Sequence, residues 1–355
     1  MRPANALRAL LGVTLPVVAA LVVGALLVWL LGHDPLAFFA NLWWGAFGTV
    51  GNLLTTLRWA TPLILSGLTV TVAYRSGLLN IGGDGQIYAG ALCGAIVGVG
   101  VTAPAWLHLP LALGAAALGG AAFALVPAIL RVYLKVNEVV TTLMFNYIGF
   151  LLTDYLVIAL YFGGNAASAV QIATPRVQAT ATIARIVTRY PLTWAIVVSV
   201  ALAVIAAIVL KRTVAGYEAE STGANPGFAR YIGVKVPRVA IASFLVSGAI
   251  GGLAGGLEAL GTYRRFVSQF SMGIGFEGIL VALLGRTDPL GMIVGGLFLA
   301  AVKNGFFAVE LRMDVDRSVA LVLQAVILLF VSSRSLIDLV QRFRRKEGAA
   351  LVGDA

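Results

Sequence analysis

The same short pattern occurs twice in this sequence, as IGGDGQIYA at residues 81–89 and as IGFEGILVA at residues 274–282. Each copy places an acidic residue, Asp84 or Glu277, directly before a glycine in the predicted first turn of a helix. The positive end of the helix dipole favours a carboxylate there, so a simple helix cap is one explanation for both residues. Because the two copies would cross a membrane in opposite directions, they also predict an inverted repeat, in which glycine-interrupted helices lie near a transport pathway.

The composition indicates a membrane protein. Of the 355 residues, 60% are hydrophobic and 11% are charged, whereas about 25% of the residues of a soluble domain carry a charge. Several uncharged runs approach or exceed the roughly 20 residues that cross a bilayer as a helix. We therefore predict an all-α polytopic membrane protein with about ten transmembrane helices. The predicted spans are residues 9–31, 53–74, 86–103, 109–130, 139–162, 192–210, 239–260, 271–284, 290–308 and 319–336.

The distribution of charge predicts the orientation of these spans. The net charge of +10 could indicate a nucleic-acid partner, but the cations lie in loops beside the apolar runs, as the positive-inside rule requires. With both termini in the cytoplasm, the inner loops hold most of the arginines and lysines. They include a C-terminal cluster at residues 342–346 that suits anionic membrane lipid. An even number of spans keeps this cluster inside, which agrees with ten.

Few residues in the sequence suit catalysis or metal binding. Cys93 is the only cysteine, and His33 and His108 lie at predicted loop ends, so a metal centre is not expected. None of the lysines follows a glycine, so the chain lacks the phosphate-binding loop of ATPases. No Ser–His pair or His–Glu cluster lies within the predicted spans. We therefore expect no enzyme activity and no bound cofactor, and any ATP that drives the protein must bind to another polypeptide.

Some polar and ionisable side chains are predicted to lie within the spans or at their ends. Such groups are costly in a bilayer unless they face protein or water, so we expect them to line a pathway. Lys303 could equally form a structural ion pair, and Asn146 could equally form a hydrogen bond between helices. The candidate pathway residues are Asn80, Asp84, Gln86, Asn146, Glu277, Lys303 and Asn304.

Three predicted loops are unusually long. Residues 33–52 and 163–191 are predicted outside, and residues 211–238 form the largest cytoplasmic loop. A connector between spans needs only about four residues, so a loop of this length more often docks onto a partner. Within the inner loop, Asn225 followed by Pro226 predicts the start of a short helix with proline at the first helical position.

Four blocks of the sequence carry a further signal, at residues 77–86 (GLLNIGGDGQ), 137–147 (NEVVTTLMFNY), 221–233 (STGANPGFARYIG) and 275–286 (GFEGILVALLGR). Together they resemble the permease subunits of bacterial ABC importers, in the branch that serves simple sugars, nucleosides and branched-chain amino acids. The second block is similar to the nucleoside and sugar permeases of that branch. The sequence departs from the family at Asp84, where glutamate is more usual, and at Gly227 and Phe228, where small or basic residues are more usual.

The resemblance implies a fold with about ten spans per subunit, within a complex in the bacterial cytoplasmic (inner) membrane. Its partners would be a second permease copy or a paralogue, cytoplasmic ATPase subunits, and a periplasmic or lipid-anchored substrate-binding protein. The loop at residues 211–238 would insert its short helix into a groove of the ATPase. The residues expected at that contact are Glu218, Gly223, Asn225, Pro226, Ala229 and Arg230. In predicted outer loops, Arg58, Arg264 and Arg265 would receive acidic residues of the binding protein, unless they are simply solvated charges.

These observations support one leading function and one alternative. The leading interpretation is a single permease domain over residues 1–355, with repeat halves at about 53–162 and 239–337, that carries nucleosides or simple sugars in an ATP-driven importer. The alternative is a self-sufficient secondary transporter coupled to H⁺ or Na⁺. The inverted repeat would support it, as would the ionisable residues Asp84, Asp154, Glu277 and Lys303, but such a carrier does not require the long inner loop.

Overall fold

The computed structural model describes residues 21–164, 171–271, 273–313, 315–316, 318–319 and 321–326. The regular structure of these residues is helical, and β-pairing among them is confined to isolated bridges, Ala173 with Val267 and Arg185 with Thr193. The helices are α1 (Leu21–Leu30), α2 (Pro35–Phe47), α3 (Val50–Arg75), α4 (Gly83–Gly100), α5 (Ala105–Leu134), α6 (Glu138–Tyr161), α7 (Ala195–Arg212), α8 (Val214–Ala224), α9 (Pro226–Tyr231), α10 (Val236–Leu257), α11 (Ile274–Leu284) and α12 (Gly291–Met313).

Within the described part of the chain, 6 helices are long and apolar enough to cross a membrane. They are α3, α5, α6, α7, α12 and α10, which a π-helical turn (Glu258–Thr262) extends to Thr262. The count becomes 7 if α1 and α2, which are bent by 119° at the break between them, form one broken span. These helices confirm the predicted spans at 53–74, 109–130, 139–162, 192–210, 239–260 and 290–308.

The other predicted spans have different outcomes. The span predicted at 86–103 starts earlier, because α4 begins at Gly83 and ends at Gly100. The prediction of a full span at 271–284 is wrong, because α11 has only 11 residues. At 1.5 Å per residue its length is about 16 Å, roughly half of the hydrocarbon core of a bilayer. The spans predicted at 9–31 and 319–336 fall mostly outside the described residues, and the cluster at 342–346 falls entirely outside them.

Asparagine and aspartate caps explain where several helices begin. Asp34 accepts a hydrogen bond from the Leu36 N–H at 2.9 Å and starts α2, inside the outer loop predicted at residues 33–52. Most of the loop predicted at residues 33–52 is therefore helical. Asn137 caps α6, and Asn225 caps α9 directly before Pro226. The predicted start of a short helix at Asn225 and Pro226 is confirmed.

The chain divides into two compact units. The first comprises the described residues of Met1–Leu53 and Ala301–Ala355, and its apolar core includes Val28, Phe38 and Phe306. The second unit, Leu54–Ala300, contains the close packing of α4, α5 and α10. A Cβ atom on Gly90 or Gly120 would overlap the backbone of Gly252, so small residues let these helices touch through their main chains.

Candidate functional site

The two copies of the repeated pattern meet in the second unit. Helix α4 begins at Gly83 and α11 begins at Ile274, and a Cβ atom on Gly83 would lie 3.2 Å from the Cα atom of Gly275. A Cβ atom on Gly275 would overlap the backbone nitrogen of Asp84. Glycine is therefore required where the two helix starts touch. We call residues 80–86 and 274–278 the repeat junction.

Asp84 joins the two copies through a hydrogen bond. Its Oδ1 accepts from the N–H of Gly275 at 2.8 Å, so the acidic residue of the first copy caps the helix of the second. The side chain is fully buried, and its Oδ2 has no hydrogen-bond partner. Ser66 supports the same contact, because its hydroxyl donates to the carbonyl of Ile274 at 2.8 Å. The cap explanation accounts for Oδ1 but leaves Oδ2 without a role.

Asn80 and Gln86 form a closed pair of amides beside this contact. Asn80 Nδ2 donates to Gln86 Oε1 at 3.0 Å, and Gln86 Nε2 donates to Asn80 Oδ1 at 3.1 Å. Asn80 also donates to the Ser247 hydroxyl at 2.8 Å, and that hydroxyl donates to the carbonyl of Thr69 at 2.7 Å. Both amides are buried. They hold α3, α4 and α10 together around the repeat junction, and the oxygen and nitrogen of each amide have partners within the protein.

Asn146 ties α6 to the same place. Its Oδ1 accepts from the N–H of Gly85 at 2.8 Å, and its Nδ2 donates to the carbonyl of Ile81 at 2.9 Å. Thr142 accepts from the N–H of Ile81 at 3.3 Å. Asn146 is buried, so its geometry matches the alternative of a hydrogen bond between helices. The structure thus brings Asn80, Asp84, Gln86 and Asn146 together, as packed parts of the junction.

An aromatic cluster lies next to the junction and consists of Tyr88, Phe150, Phe266 and Phe270. The ring of Tyr88 lies 4.6 Å from that of Phe150, 5.9 Å from that of Phe266 and 5.2 Å from that of Phe270, with which it is stacked. Polar atoms also lie here: the Ser268 hydroxyl donates to Asp154 Oδ2 at 2.9 Å. Tyr88 belongs to the repeated pattern, but the sequence alone did not indicate it as a site residue.

Arg58 forms a buried ion pair. Its Nη2 atom lies 2.6 Å from Oε2 of Glu258, and the side chains of the two residues are 8% and 4% exposed. The guanidinium also packs 4.1 Å from the ring centre of Trp59. The prediction that Arg58 lies in an outer loop and receives a binding protein is wrong, because the residue lies within α3 and its charge is paired inside the protein. Glu258 was missed, although an acid inside the predicted span at 239–260 is itself a signal.

The other two arginines predicted in outer loops differ in exposure. Arg264 is exposed and has a left-handed backbone conformation with φ of 54°. Arg265 is half-buried and donates to Gln171 Oε1 at 3.4 Å. Both follow the π-helical turn at the end of α10.

Three other predicted pathway residues have different surroundings. Asn304 is buried in the first unit, where its Nδ2 donates to the carbonyls of Gly45 at 2.8 Å and Asn52 at 3.0 Å. It therefore joins the end of α2 to the start of α3. Lys303 is half-buried in the same unit. Glu277 is half-buried in the first turn of α11.

The predicted docking loop folds into two helices, α8 and α9. Asn225 Oδ1 accepts from the N–H groups of Gly227 at 2.9 Å and Phe228 at 3.1 Å, which starts α9. Tyr231 is 89% exposed, and Phe228 and Arg230 are also exposed. Helix α8 was not predicted. The pair of helices presents aromatic and cationic side chains outwards.

The six predicted docking residues divide into outward and inward groups. Asn225, Pro226 and Arg230 are exposed, and Glu218 is half-buried. Ala229 is fully buried. Gly223 packs inwards, because a Cβ atom there would overlap the carbonyl of Arg75. The last two residues hold the loop against the protein.

The docking loop is attached to the chain on both sides of the repeat junction. Gly77, with φ of 77°, approaches Gly223 so closely that a Cβ atom on Gly77 would lie 3.0 Å from the Cα atom of Gly223. Arg75 lies 3.5 Å from the carboxylate of Glu220. Beyond α11, Asp288 forms an ion pair with Lys211 at 2.8 Å.

The described residues contain no group of three or more His, Cys, Asp or Glu side chains that could hold a metal ion. His108 is fully buried, with Nδ1 2.7 Å from the Thr180 hydroxyl and Nε2 3.1 Å from the carbonyl of Val97. Both of its ring nitrogens therefore have partners within the protein.

Comparison with known proteins gives a consistent family. The family model described as the permease component of the branched-chain amino acid transport system matches residues 52–332. The guanosine ABC transporter permease protein NupP of Bacillus subtilis is 34% identical over 339 residues, which cover 94% of this chain and 96% of that protein. The glucose ABC transporter permease protein TsgB13 of Haloferax volcanii is 33% identical over 327 residues, 89% of this chain and 85% of that protein.

A third relative, the nucleoside ABC transporter permease protein NupB of Lactococcus lactis, is 29% identical over 344 residues, 95% of this chain and 94% of that protein. No solved structure matches the chain. The family model and these relatives extend over nearly all of the described helices. The chain therefore belongs to the permease component family of the branched-chain amino acid transport system, as a membrane subunit of an ABC importer and not as an enzyme.

Proposed function

We propose that this permease subunit carries nucleosides, ahead of simple sugars, across the bacterial cytoplasmic membrane. The observation that carries the proposal is the match to NupP along 94% of the chain, because that protein is named for guanosine. NupB, which is named for nucleosides, supports the same cargo, whereas TsgB13 is named for glucose. The aromatic cluster next to the repeat junction suits a cargo with a flat ring.

The proposed topology is one permease domain of about ten membrane segments, of which α11 crosses only part of the bilayer, with an inverted repeat and both termini in the cytoplasm. The contact of Gly83 with Gly275 supports it, because the starts of two short or broken helices from the two copies meet there. In transporters with inverted repeats, such breaks lie near the middle of the membrane at the interface of the repeats.

In the proposed complex, α8 and α9 dock onto a cytoplasmic ATPase subunit. The exposure of Asn225, Pro226 and Arg230 supports this contact, since a guanidinium can pair with carboxylates in a groove. ATP and Mg²⁺ would bind to that partner, and this chain would bind no cofactor. A second permease, either a copy or a paralogue, would complete the membrane part.

On the outer side, Arg264 and Arg265 would receive acidic residues of a periplasmic or lipid-anchored binding protein. The exposure of Arg264, the half-exposed side chain of Arg265 and the position of both residues after α10 support this role. Arg58 has no part in it, because Glu258 neutralises its charge.

Co-purification followed by reconstitution tests the proposed function. The tagged chain is isolated from its native membrane, its partners are identified, and the complex is placed in liposomes with ATP inside and the binding protein outside. We expect an ATPase subunit to co-purify and labelled guanosine to enter only with ATP. A chain that purifies alone and takes up guanosine under an ion gradient without ATP would overturn the proposal.

A further inference from the structure

A group of buried polar atoms in the structure lacks hydrogen bonds and has no part in the contacts described above. Buried polar groups are almost always paired, so each exception needs an explanation. Four such atoms surround the repeat junction and the aromatic cluster. They are Asp84 Oδ2, Tyr88 Oη, Asp154 Oδ1 and Ser271 Oγ.

These atoms belong to one neighbourhood. The main chain and hydroxyl of Ser271 lie beside the Tyr88 hydroxyl, and the carboxylates of Asp84 and Asp154 are close enough to act on it electrostatically. Asp84, Tyr88 and Ser271 are each less than 3% exposed. The structure therefore gathers two carboxylates and two hydroxyls in one place. None of these four atoms makes a hydrogen bond of good geometry, although Ser271 lies within interaction range of the Tyr88 hydroxyl.

The surroundings of these atoms indicate the chemistry of a ligand. Phe150, Phe266 and Phe270 pack around Tyr88, so flat apolar faces lie beside the polar atoms. Aromatic faces stack on flat rings, and carboxylate oxygens accept hydrogen bonds from hydroxyl and N–H groups. A nucleoside offers all three features, namely a flat base, N–H groups on that base and sugar hydroxyls.

We propose that Asp84, Tyr88, Asp154 and Ser271, together with the aromatic cluster, form a nucleoside subsite of the translocation pathway. The proposal rests on the proposed function and adds the residues that contact the cargo inside the membrane. In the closed arrangement described here the aromatic rings fill the subsite. A passing nucleoside separates the rings and provides the hydrogen bonds that the four atoms lack.

The segment that covers the subsite can be identified. Residues 263–271 follow α10 irregularly and carry Phe266, Phe270 and Ser271. The outer loop holds this segment through main-chain bonds, from the N–H of Thr174 to the carbonyl of Phe266 at 3.0 Å and from the N–H of Ser268 to the carbonyl of Ile172 at 2.8 Å. The segment is also held by the aromatic rings and by the hydrogen bond from Ser268 to Asp154 on α6. Its displacement would break these contacts and open the subsite without breaking a helix.

Two conservative variants test the subsite in the reconstituted importer. Tyr88→Phe removes only the hydroxyl and keeps the ring, and Asp154→Asn removes the charge and keeps the shape. Tyr147→Phe is the matched control, because Tyr147 is 60% exposed and contacts Phe150 from outside the cluster, with ring centres 6.4 Å apart. The measurements are guanosine uptake and ATP hydrolysis at a saturating concentration of guanosine-loaded binding protein.

We expect the two subsite variants to lower maximal guanosine uptake about tenfold, as the loss of one hydrogen bond to the cargo predicts. Hydrolysis of ATP should stay within twofold of the wild type, and Tyr147→Phe should match the wild type in both measurements. Wild-type guanosine uptake in both variants would overturn the subsite while the proposed function stands. A parallel loss of uptake, ATP hydrolysis and yield would also overturn it, because that pattern indicates a structural role. If the wild-type complex imports no nucleoside with ATP, the proposed function itself fails.

Discussion

The carboxylate of Asp84 and the backbone N–H of Gly275 are joined by a hydrogen bond of 2.8 Å, although 190 residues of chain lie between them. One oxygen of the carboxylate thus caps the helix of the other repeat copy, while the second oxygen has no partner. A carboxylate that only capped a helix would not need to be buried so completely. The two oxygens can therefore have different roles, one in capping α11 and one in contact with the cargo, and substitutions can distinguish the two roles.

Asp84→Asn should fold well and transport poorly. The amide keeps an acceptor for the Gly275 N–H but removes the charge from the side that faces the proposed subsite. We expect normal yield and a loss of guanosine uptake of at least fivefold, whereas Asp84→Ala should lose both yield and uptake because the cap is absent. The measurements are the purified yield of each variant and the guanosine uptake of the reconstituted complex. Full transport by Asp84→Asn would show that the residue is a helix cap and nothing more.

Gly275→Ala should destabilise the protein. The added methyl group would overlap the nitrogen of Asp84, which belongs to the main chain and cannot rotate away. Overpacking of this kind costs about 1–3 kcal/mol. Thermal unfolding in detergent measures the change. Gly114→Ala in α5 is the control, because a Cβ atom there meets no other atom within 4 Å, and equal unfolding temperatures for the two variants would contradict the contact.

Removal of one partner of the pair Arg58–Glu258 should be strongly destabilising. Arg58→Met leaves the carboxylate of Glu258 buried without a counter-charge, which costs about 3–5 kcal/mol. The double variant Arg58→Met with Glu258→Gln should recover most of that loss. Arg131 and Glu138, at 3.0 Å but with side chains 37% and 14% exposed, provide a comparison in which single changes should cost less, about 1 kcal/mol.

A double-mutant cycle on unfolding temperature measures this coupling between Arg58 and Glu258. Additive effects of the two single changes would refute the assignment of a buried ion pair. Such a result would also restore Arg58 as a candidate for contact with the binding protein.

Arg230→Glu should disconnect the permease from its ATPase. The side chain lies in α9 on the exposed side of the docking loop, where a reversed charge would repel an acidic groove. We expect at least tenfold less ATPase subunit to co-purify and guanosine uptake to disappear, with normal yield in the membrane. Lys235→Glu reverses another exposed charge of the same loop and should change both quantities less than threefold. Unchanged co-purification with Arg230→Glu would remove α9 from the docking contact.

The sequence was sufficient to predict the features that depend on local pattern. Long apolar runs predicted α3, α5, α6, α7, α10 and α12, because hydropathy decides whether a helix can lie in lipid. The cap preference of asparagine and the fixed φ of proline predicted the start of α9 at Asn225 and Pro226. The repeated pattern also predicted, correctly, that Asp84 lies in the first turn of a helix.

Features that depend on the partner of a residue could not be predicted. Hydropathy does not indicate that Arg58 pairs with Glu258, because the two residues are far apart in the chain. Each is a single charge in a long apolar run, and one charge does not lower the mean hydropathy of the run enough to end a predicted span. The amides of Asn80 and Gln86 looked available to a cargo, but they satisfy each other. The prediction of a full span at residues 271–284 was wrong because an apolar composition does not show at which residue the helix begins, and α11 begins only at Ile274.

The contact between Gly77 and Gly223 couples α8 directly to the chain just before the repeat junction. Gly77 lies only three residues before Asn80, and its main chain touches that of Gly223 with no side chain between them. Side chains can change rotamer and absorb a small displacement, whereas two touching backbones cannot. A shift of α8 would therefore press directly on residue 77, three residues before the repeat junction, and any side chain introduced at either glycine would hold the two main chains apart.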